Sequence, residues 1–448
     1  MKTRLFALLV FLLLPVAAFA AQVKALPSPK DQQIWFAEDH TVPIVSLVAS
    51  LPAGSVYDTK GKDGLAAFAA ALMDEGAGNL DSRAFQTALS EKAIRFSAKA
   101  ERDYVVITVT TLKENAGEAF RLLGLALKSP RFDADAIARV RSQMLQNLEQ
   151  DKQDPEKVAG KAFDHAFYGD HPYGHDPDGD AAGINAITRA DLTSFAKNHW
   201  VQGGMLLAAA GDIAPSQLQD LIGKTFGVLP AGTSGAISPP AHLGSPGIQN
   251  IPMNVPQPTV MFGLPGISRA DKDFIPAYVA NHILGSGDFT ARLTVEVRVK
   301  RGLTYGIQTE LDNDRQAAAM VGNVASRADA VRQTIDVVRA TMKDFADKGP
   351  TAQELADAKT YLTGSFPLAF TSNMGTATQL GAYQRQGLDV GYVTRRNGLI
   401  NAVTIDDVRR VAKRLYTADS LTIVVAGTLP PAGPAAPSTQ ATPQPKKP

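Results

Sequence analysis

Chemistry in this 448-residue chain must come from histidine, carboxylate, hydroxyl and cationic side chains, because it contains seven His and no Cys. The missing thiol excludes a disulfide framework, a thiolate metal site and a cysteine nucleophile together. His165, His171 and His175 lie close in sequence, but only His171 and His175 have i, i+4 spacing. They flank Pro172, which points to a loop rather than a metal-binding helix. The run Asp176-Pro-Asp178-Gly-Asp180 imitates a calcium loop. Its sixth and twelfth positions are Ala181 and Ile187, where glycine and glutamate are required, so a solvated acidic turn is expected. Gly223-Lys224-Thr225 ends like a phosphate loop, yet Leu218 stands where that motif needs its first glycine. The string AAFAAAL at 66–72 is chemically silent: alanine favours helix and leaves no polar group, so an ordinary buried helix is expected.

The elements that would position any site follow from apolar periodicity. Residues 44–51 (IVSLVASL) form a buried strand before Pro52-Ala53-Gly54, and a helix runs from about Gly64 to Gly76 or Gly78. Ser82–Ala93 is amphipathic, 104–112 (YVVITVTTL) is a β-branched strand, and 114–127 and 133–151 have helical spacing. A strand at 205–211 closes the half. The order then recurs at an offset of 213–218 residues, with VMFGLPG (260–266) answering 47–54 and SLTIVVAGTL (420–429) answering 204–213. ITRADLTSFAK (187–197) likewise matches VTIDDVRRVAK (403–413), and 135–143 matches 353–361 in pattern. A repeat this long is a whole domain, so the expected fold is α+β: two homologous sandwich domains, each a mainly antiparallel sheet covered by helices.

The domains are expected at 21–230 and 251–429, joined by a Gly-, Pro- and Ser-rich linker at 231–250. Residues 1–20 read as a signal peptide, with Lys2 and Arg4 before an apolar run and small residues Ala18 and Ala20 at the cleavage site. The mature chain is then expected in the periplasm. Residues 430–448 are too polar and proline-rich to bury an apolar face, and a disordered tail is expected there. A formal net charge of +1 gives no electrostatic footprint for nucleic acid, and no later segment is apolar enough to span a membrane.

FYGDHPYG (167–174), followed by a turn, a helix and a final strand, resembles the pitrilysin/insulinase family of zinc peptidases. LPAGSVYDTKGKDGLAAF (51–68) is similar to the family segment leading into its inverted zinc motif H-x-x-E-H, and LGSGDFTARLTVEVRVKRGLTYGI (284–307) resembles the glycine loop and helix of its second domain. The likeness covers nearly the whole mature chain. It implies that the zinc-binding histidines fall at Ala67 and Ala71, the general base at Ala70 and the remaining ligand near Asn147, so this chain binds no zinc of its own. It also implies roles for Arg298 and Tyr305, whose seven-residue spacing matches the family's substrate-binding, oxyanion-stabilising pair. A guanidinium fork and a neutral phenol donor suit an oxyanion formed beside a metal. The helix is expected to end at Gly302 and a strand to begin near Leu303, so that both side chains reach one cavity. Their structural alternatives are a helix-end arginine held by carbonyls or a surface carboxylate, and a strand-core tyrosine. Lys300 and Arg301 are expected to be solvated charges. The resemblance therefore implies a non-catalytic, substrate-binding subunit of a two-chain periplasmic zinc peptidase, whose partner carries the zinc and whose substrate is peptide. The alternative is a zinc-free scaffold or peptide-binding protein of the same fold.

Overall fold

The computed structural model describes residues 23–28 and 33–431; the expected signal peptide at 1–20 and all but the first two residues of the expected tail at 430–448 lie outside the described residues. The first half contributes β1 (Val23–Pro27), β2 (Gln33–Glu38), β3 (Ile44–Leu51), α1 (Leu65–Ala71), β4 (Gly76–Ala77), β5 (Leu80–Asp81), α2 (Ser82–Glu91), β6 (Arg95–Ala100) and β7 (Val105–Leu112). It continues through α3 (Ala116–Lys128), α4 (Ala134–Asp151), α5 (Pro155–Tyr168), α6 (Ala181–Ala186), α7 (Arg189–His199), β8 (Leu206–Gly211) and α8 (Pro215–Phe226). The second half comprises β9 (Gly247–Ile251), β10 (Thr259–Pro265), α9 (Phe274–Asn281), β11 (Ile307–Asn313), β12 (Ala318–Ala325), α10 (Val331–Lys348), α11 (Ala352–Gly364), α12 (Asn373–Arg385), α13 (Tyr392–Ala402), α14 (Ile405–Leu415) and β13 (Thr422–Ala426).

Two larger sheets result, with strand orders β1-β2-β8-β3-β7-β6 and β11-β12-β10-β13-β9. Read from the opposite edge, the second sheet repeats the first without β1. Each is antiparallel except for one pair, β2 with β8 and β9 with β13. The repeat extends to helix starts: Thr188 and Asp191 form a capping box on α7, and Thr404 and Asp407 form the same box on α14. The linker does not stop before the second sheet, because its last residues form β9, whose main chain pairs with β13.

A sheet between two aqueous faces would leave one apolar face wet. Helices of its own half cover one face of each sheet, burying Phe68, Phe120 and Leu123 in the first half and Leu284, Met342 and Phe345 in the second. The other face is covered by exchange. Helix α12 of the second half places Ala377, Leu380 and Tyr383 against Trp35, Val48 and Ala208. Helix α5 of the first half places Phe163 and Phe167 against Val424 and Ala319. Both contacts are close: a Cβ on Gly263 of β10 would stand 2.6 Å from the Phe163 ring and 2.9 Å from the Met320 carbonyl, which leaves no room for one, and a Cβ on Gly381 of α12 would stand 3.1 Å from Val48, a tight fit.

The two hairpin turns that face each other at this seam carry charge. Arg102, between β6 and β7, lies 2.7 Å from Asp164 of α5, 3.3 Å from Asp312 and 3.2 Å from Asp314, with its guanidinium 5.2 Å from the centre of the Tyr168 ring. Next to it the Tyr173 hydroxyl donates to Asp103 at 2.6 Å, and the Arg315 main-chain N–H donates to the other Asp103 oxygen at 2.8 Å. One guanidinium faces three carboxylates in a half-buried place. Burial pushes Asp164 up to about 6, against the pull of Arg102. Burial, together with Asp312 alongside, pushes Asp314 up to about 7. Folded values above the unfolded one mean that the contribution to stability is complete below the ordinary carboxylate range and is lost as pH rises through these values. The thermal midpoint should therefore fall between about pH 5 and about pH 8, and Asp314→Asn should flatten that slope. An unchanged slope in Asp314→Asn would contradict this account of the joint. Arg102→Ala, which strands three carboxylates, should cost about 3–5 kcal/mol in denaturant unfolding.

Candidate functional site

In the first half, α1 begins at Gly64, whose φ of +95° suits glycine, and the helix has no side-chain cap of its own. Asp58 substitutes: its carboxylate accepts from the Gly64 and Ala66 N–H groups, both at 2.7 Å. Burial nevertheless pushes this carboxyl up to about 7. The helix is shorter than its sequence pattern suggests, ending at Ala71 as the chain turns toward the β4–β5 hairpin, where Gly76 takes φ +111°. Ala67 is half-buried, Ala71 is exposed and Ala70 is buried, so α1 is not buried on all sides. A zinc motif at these positions would have turned its two histidines toward solvent. Here they are methyl groups, and Asn147 is exposed and accepts the Gln143 amide at 2.8 Å. Among the described residues no cluster of three or more His, Asp or Glu could hold a metal ion, so the zinc of the related peptidases does not fit this chain.

The other sequence motifs are structural. His171 bonds the Ser238 carbonyl at 2.8 Å while His175 sits 3.1 Å from Asp63, so the two do not converge. Asp176 pairs with Lys161 at 2.8 Å, and Asp180 caps α6 by accepting from Gly183. The Thr225 hydroxyl donates to the Phe120 carbonyl where α8 meets α3.

The second half carries a cavity of about 600 Å³. Its walls are a wide helical turn at His282–Ser286, a second at Thr294–Val299, the start of β11, the end of β12 and Glu156 from α5. The second turn is π-type: the Lys300 N–H reaches back five residues to Val295. Arg298 lines the cavity with its guanidinium 4.5 Å from the centre of the Phe289 ring, and it pairs with no carboxylate among the described residues. That differs from the helix-end alternative, which Lys300 and Arg301 do illustrate, since both bind Glu296.

Tyr305 is placed differently from the expectation. Strand β11 begins at Ile307 rather than near Leu303, because the Thr304 hydroxyl binds the Ala325 and Gly306 carbonyls at 2.6 and 2.7 Å and holds 304–306 as a loop. Tyr305 is 81% exposed and does not line the cavity, so it is neither a strand-core ring nor, in this chain alone, a second wall beside Arg298. Sequence reasoning missed Phe289 under Arg298 and Glu156 on the far wall.

Comparison with known proteins agrees with this geometry. Residues 34–176 match the family described as Insulinase (Peptidase family M16), and residues 186–362 match the Peptidase M16 inactive domain. A crystal structure described as a peptidase M16 inactive domain from Pseudomonas fluorescens is 30% identical, covers 92% of this chain and 100% of its own, and superimposes with a TM-score of 0.86. A protein called Non-peptidase homolog YmxG from Helicobacter pylori is 27% identical over 338 residues, which is 75% of this chain and 78% of that one. An uncharacterized zinc protease of Mycobacterium tuberculosis is 29% identical over 303 residues, 64% of this chain and 66% of that protein. Fold and site together define a duplicated peptidase scaffold with its metal ligands replaced. The chain belongs to the insulinase family, peptidase family M16, as an inactive member.

The purified mature chain should retain well under one equivalent of zinc after dialysis and should cleave no peptide unaided. Elemental analysis with a fluorogenic peptide assay checks both; stoichiometric zinc or chelator-sensitive cleavage would contradict the assignment.

Proposed function

We propose that this chain is the non-catalytic, substrate-binding subunit of a periplasmic two-chain zinc peptidase that degrades peptides. The observation that carries the proposal is the contrast between the halves. The first presents Ala67, Ala70 and Ala71 where its family places ligands and base, while the second keeps Arg298 unpaired at the wall of an open cavity. An arginine without a carboxylate partner, stacked on an exposed ring, is a charge still free for a ligand. The metal and the base would come from a separate chain of the same family with an intact H-x-x-E-H. Arg298 would donate to the peptide carbonyl on which charge develops, and Tyr305, at its fixed loop tip, would join when the partner closes over this face. The N-terminal sequence supports export to the periplasm. No helix among the described residues is long and apolar enough to cross a membrane.

The exposure of Tyr305 outside the cavity favours one competing reading, a zinc-free scaffold in which the pair has no chemical role. Mixing experiments separate the two. Combined with the zinc-bearing partner, the chain should form a complex burying more than about 1,600 Å² and should confer peptide cleavage. Arg298→Ala and Tyr305→Phe should each assemble normally and lower turnover about 10²–10³-fold, with the double variant losing less than the product of the single effects. Wild-type turnover in an intact Tyr305→Phe complex, or loss only through dissociation, would favour the scaffold.

A further inference from the structure

Tyr305 is the most exposed large apolar side chain among the described residues, at 81%, although the register of β11 would bury it. The pairing of β11 with β12 begins at Ile307 opposite Val324, and side chains alternate from there, with Ile307 and Thr309 buried and Gln308 and Glu310 exposed. Carried two residues back, the same register sets Gly306 opposite Ala325 and Tyr305 opposite Ser326, with the Tyr305 ring on the buried face of Ile307. An aromatic ring on that face is what the strand would gain by lengthening.

The ladder stops because a side chain occupies its next rung. Thr309 turns its carbonyl away from β12 to accept the Asn281 amide at 3.0 Å, so by alternation Gly306, like Gln308, is a residue whose main-chain groups face β12. Thr304 intervenes there: its hydroxyl lies 2.6 Å from the Ala325 carbonyl, 2.7 Å from the Gly306 carbonyl and 3.1 Å from the Gly306 nitrogen. Ser326 makes the reciprocal contact, its hydroxyl donating to the Leu303 carbonyl at 2.8 Å. Two hydroxyls thus stitch 303–306 to the end of β12 in place of main-chain pairing. A segment that gives up strand pairing and aromatic burial together is placed for something other than stability.

We propose that Thr304 is a positioning residue for peptide cleavage: its hydroxyl blocks the next rung of β11 and so keeps the Tyr305 phenol turned outward, at a fixed place, toward the partner chain. This assignment rests on the role given to Tyr305 above and names the group that holds it. Thr304 acts through Tyr305 and not on the substrate. Valine has the shape of threonine without the hydroxyl, so in Thr304→Val the Gly306 N–H and the Ala325 carbonyl are free to pair, β11 lengthens and Tyr305 turns to the Ile307 face.

The test compares the full mature chain with Thr304→Val and Thr304→Ser, alone and with the zinc-bearing partner. Tetranitromethane nitrates exposed tyrosines, and mass spectrometry of the digested chain reads Tyr305 against Tyr361, a 53%-exposed internal reference. The ratio of Tyr305 to Tyr361 nitration should fall severalfold in Thr304→Val and stay near the wild-type value in Thr304→Ser, with thermal midpoints showing that both are folded. Thr304→Ala, which also lacks the hydroxyl but is not β-branched, should behave as Thr304→Val does. Combined with the partner, Thr304→Val should lower kcat about 10²-fold with little change in KM, while Thr304→Ser keeps wild-type turnover. A nitration ratio unchanged in both Thr304→Val and Thr304→Ala overturns the proposal, because the hydroxyl then does not keep the ring outward. Wild-type turnover in Thr304→Val beside an impaired Tyr305→Phe also overturns it and leaves the role of Tyr305 standing. If Tyr305→Phe itself has wild-type turnover, that role falls and the positioning falls with it.

Discussion

The structure depends on a single packing constraint: a twisted sheet has two faces, and each half of this chain has helices of its own for only one of them. Exchange of α5 and α12 supplies the missing layer, burying Phe163 and Phe167 on one sheet and Leu380 and Tyr383 on the other. The exchange makes the halves interdependent, so neither is a free-standing sandwich. It also brings Glu156, at the first turn of α5, to the wall of the cavity in the second half. The Arg102 clasp and the linker, which bonds Phe167 through Gly244 and Thr422 through Ser245, fix the same seam.

Within this frame the two copies have diverged where chemistry is concerned and not where packing is. Strand order, the parallel pair and the capping boxes of α7 and α14 are retained in both. The helix that would carry a zinc motif has become an alanine helix, held in place by the Asp58 cap rather than by any ligand. Its counterpart region in the second half has become two π-type turns around a polar cavity. Thr294 and Arg298, four residues apart on the second of these turns, line the same opening.

Much of this was legible in the sequence, because period and repetition are local properties. The strands at 44–51 and 105–112, the long helices at 116–128 and 134–151, and the missing zinc chemistry at Ala67, Ala70 and Ala71 all follow from residue pattern or from the family motif. Boundaries set by a single side chain were not legible. The strand expected near Leu303 begins at Ile307 because of Thr304, and α1 stops at Ala71 because the chain turns toward the β4–β5 hairpin. Long-range partnerships were equally invisible. Nothing near Arg102 in sequence announces Asp164, Asp312 and Asp314, and the apolar stripe of α5 does not say which half it covers.

The central claim is that a chain without catalytic metal ligands serves a zinc peptidase by holding its peptide. Isolating the native chain from its source cells with whatever it binds, then determining the composition and zinc content of what is recovered, tests that claim most directly. The account predicts a complex with one further insulinase-family chain that carries an H-x-x-E-H motif and all of the zinc. Recovery of this chain alone, or as copies of itself with no zinc-bearing companion, would contradict it.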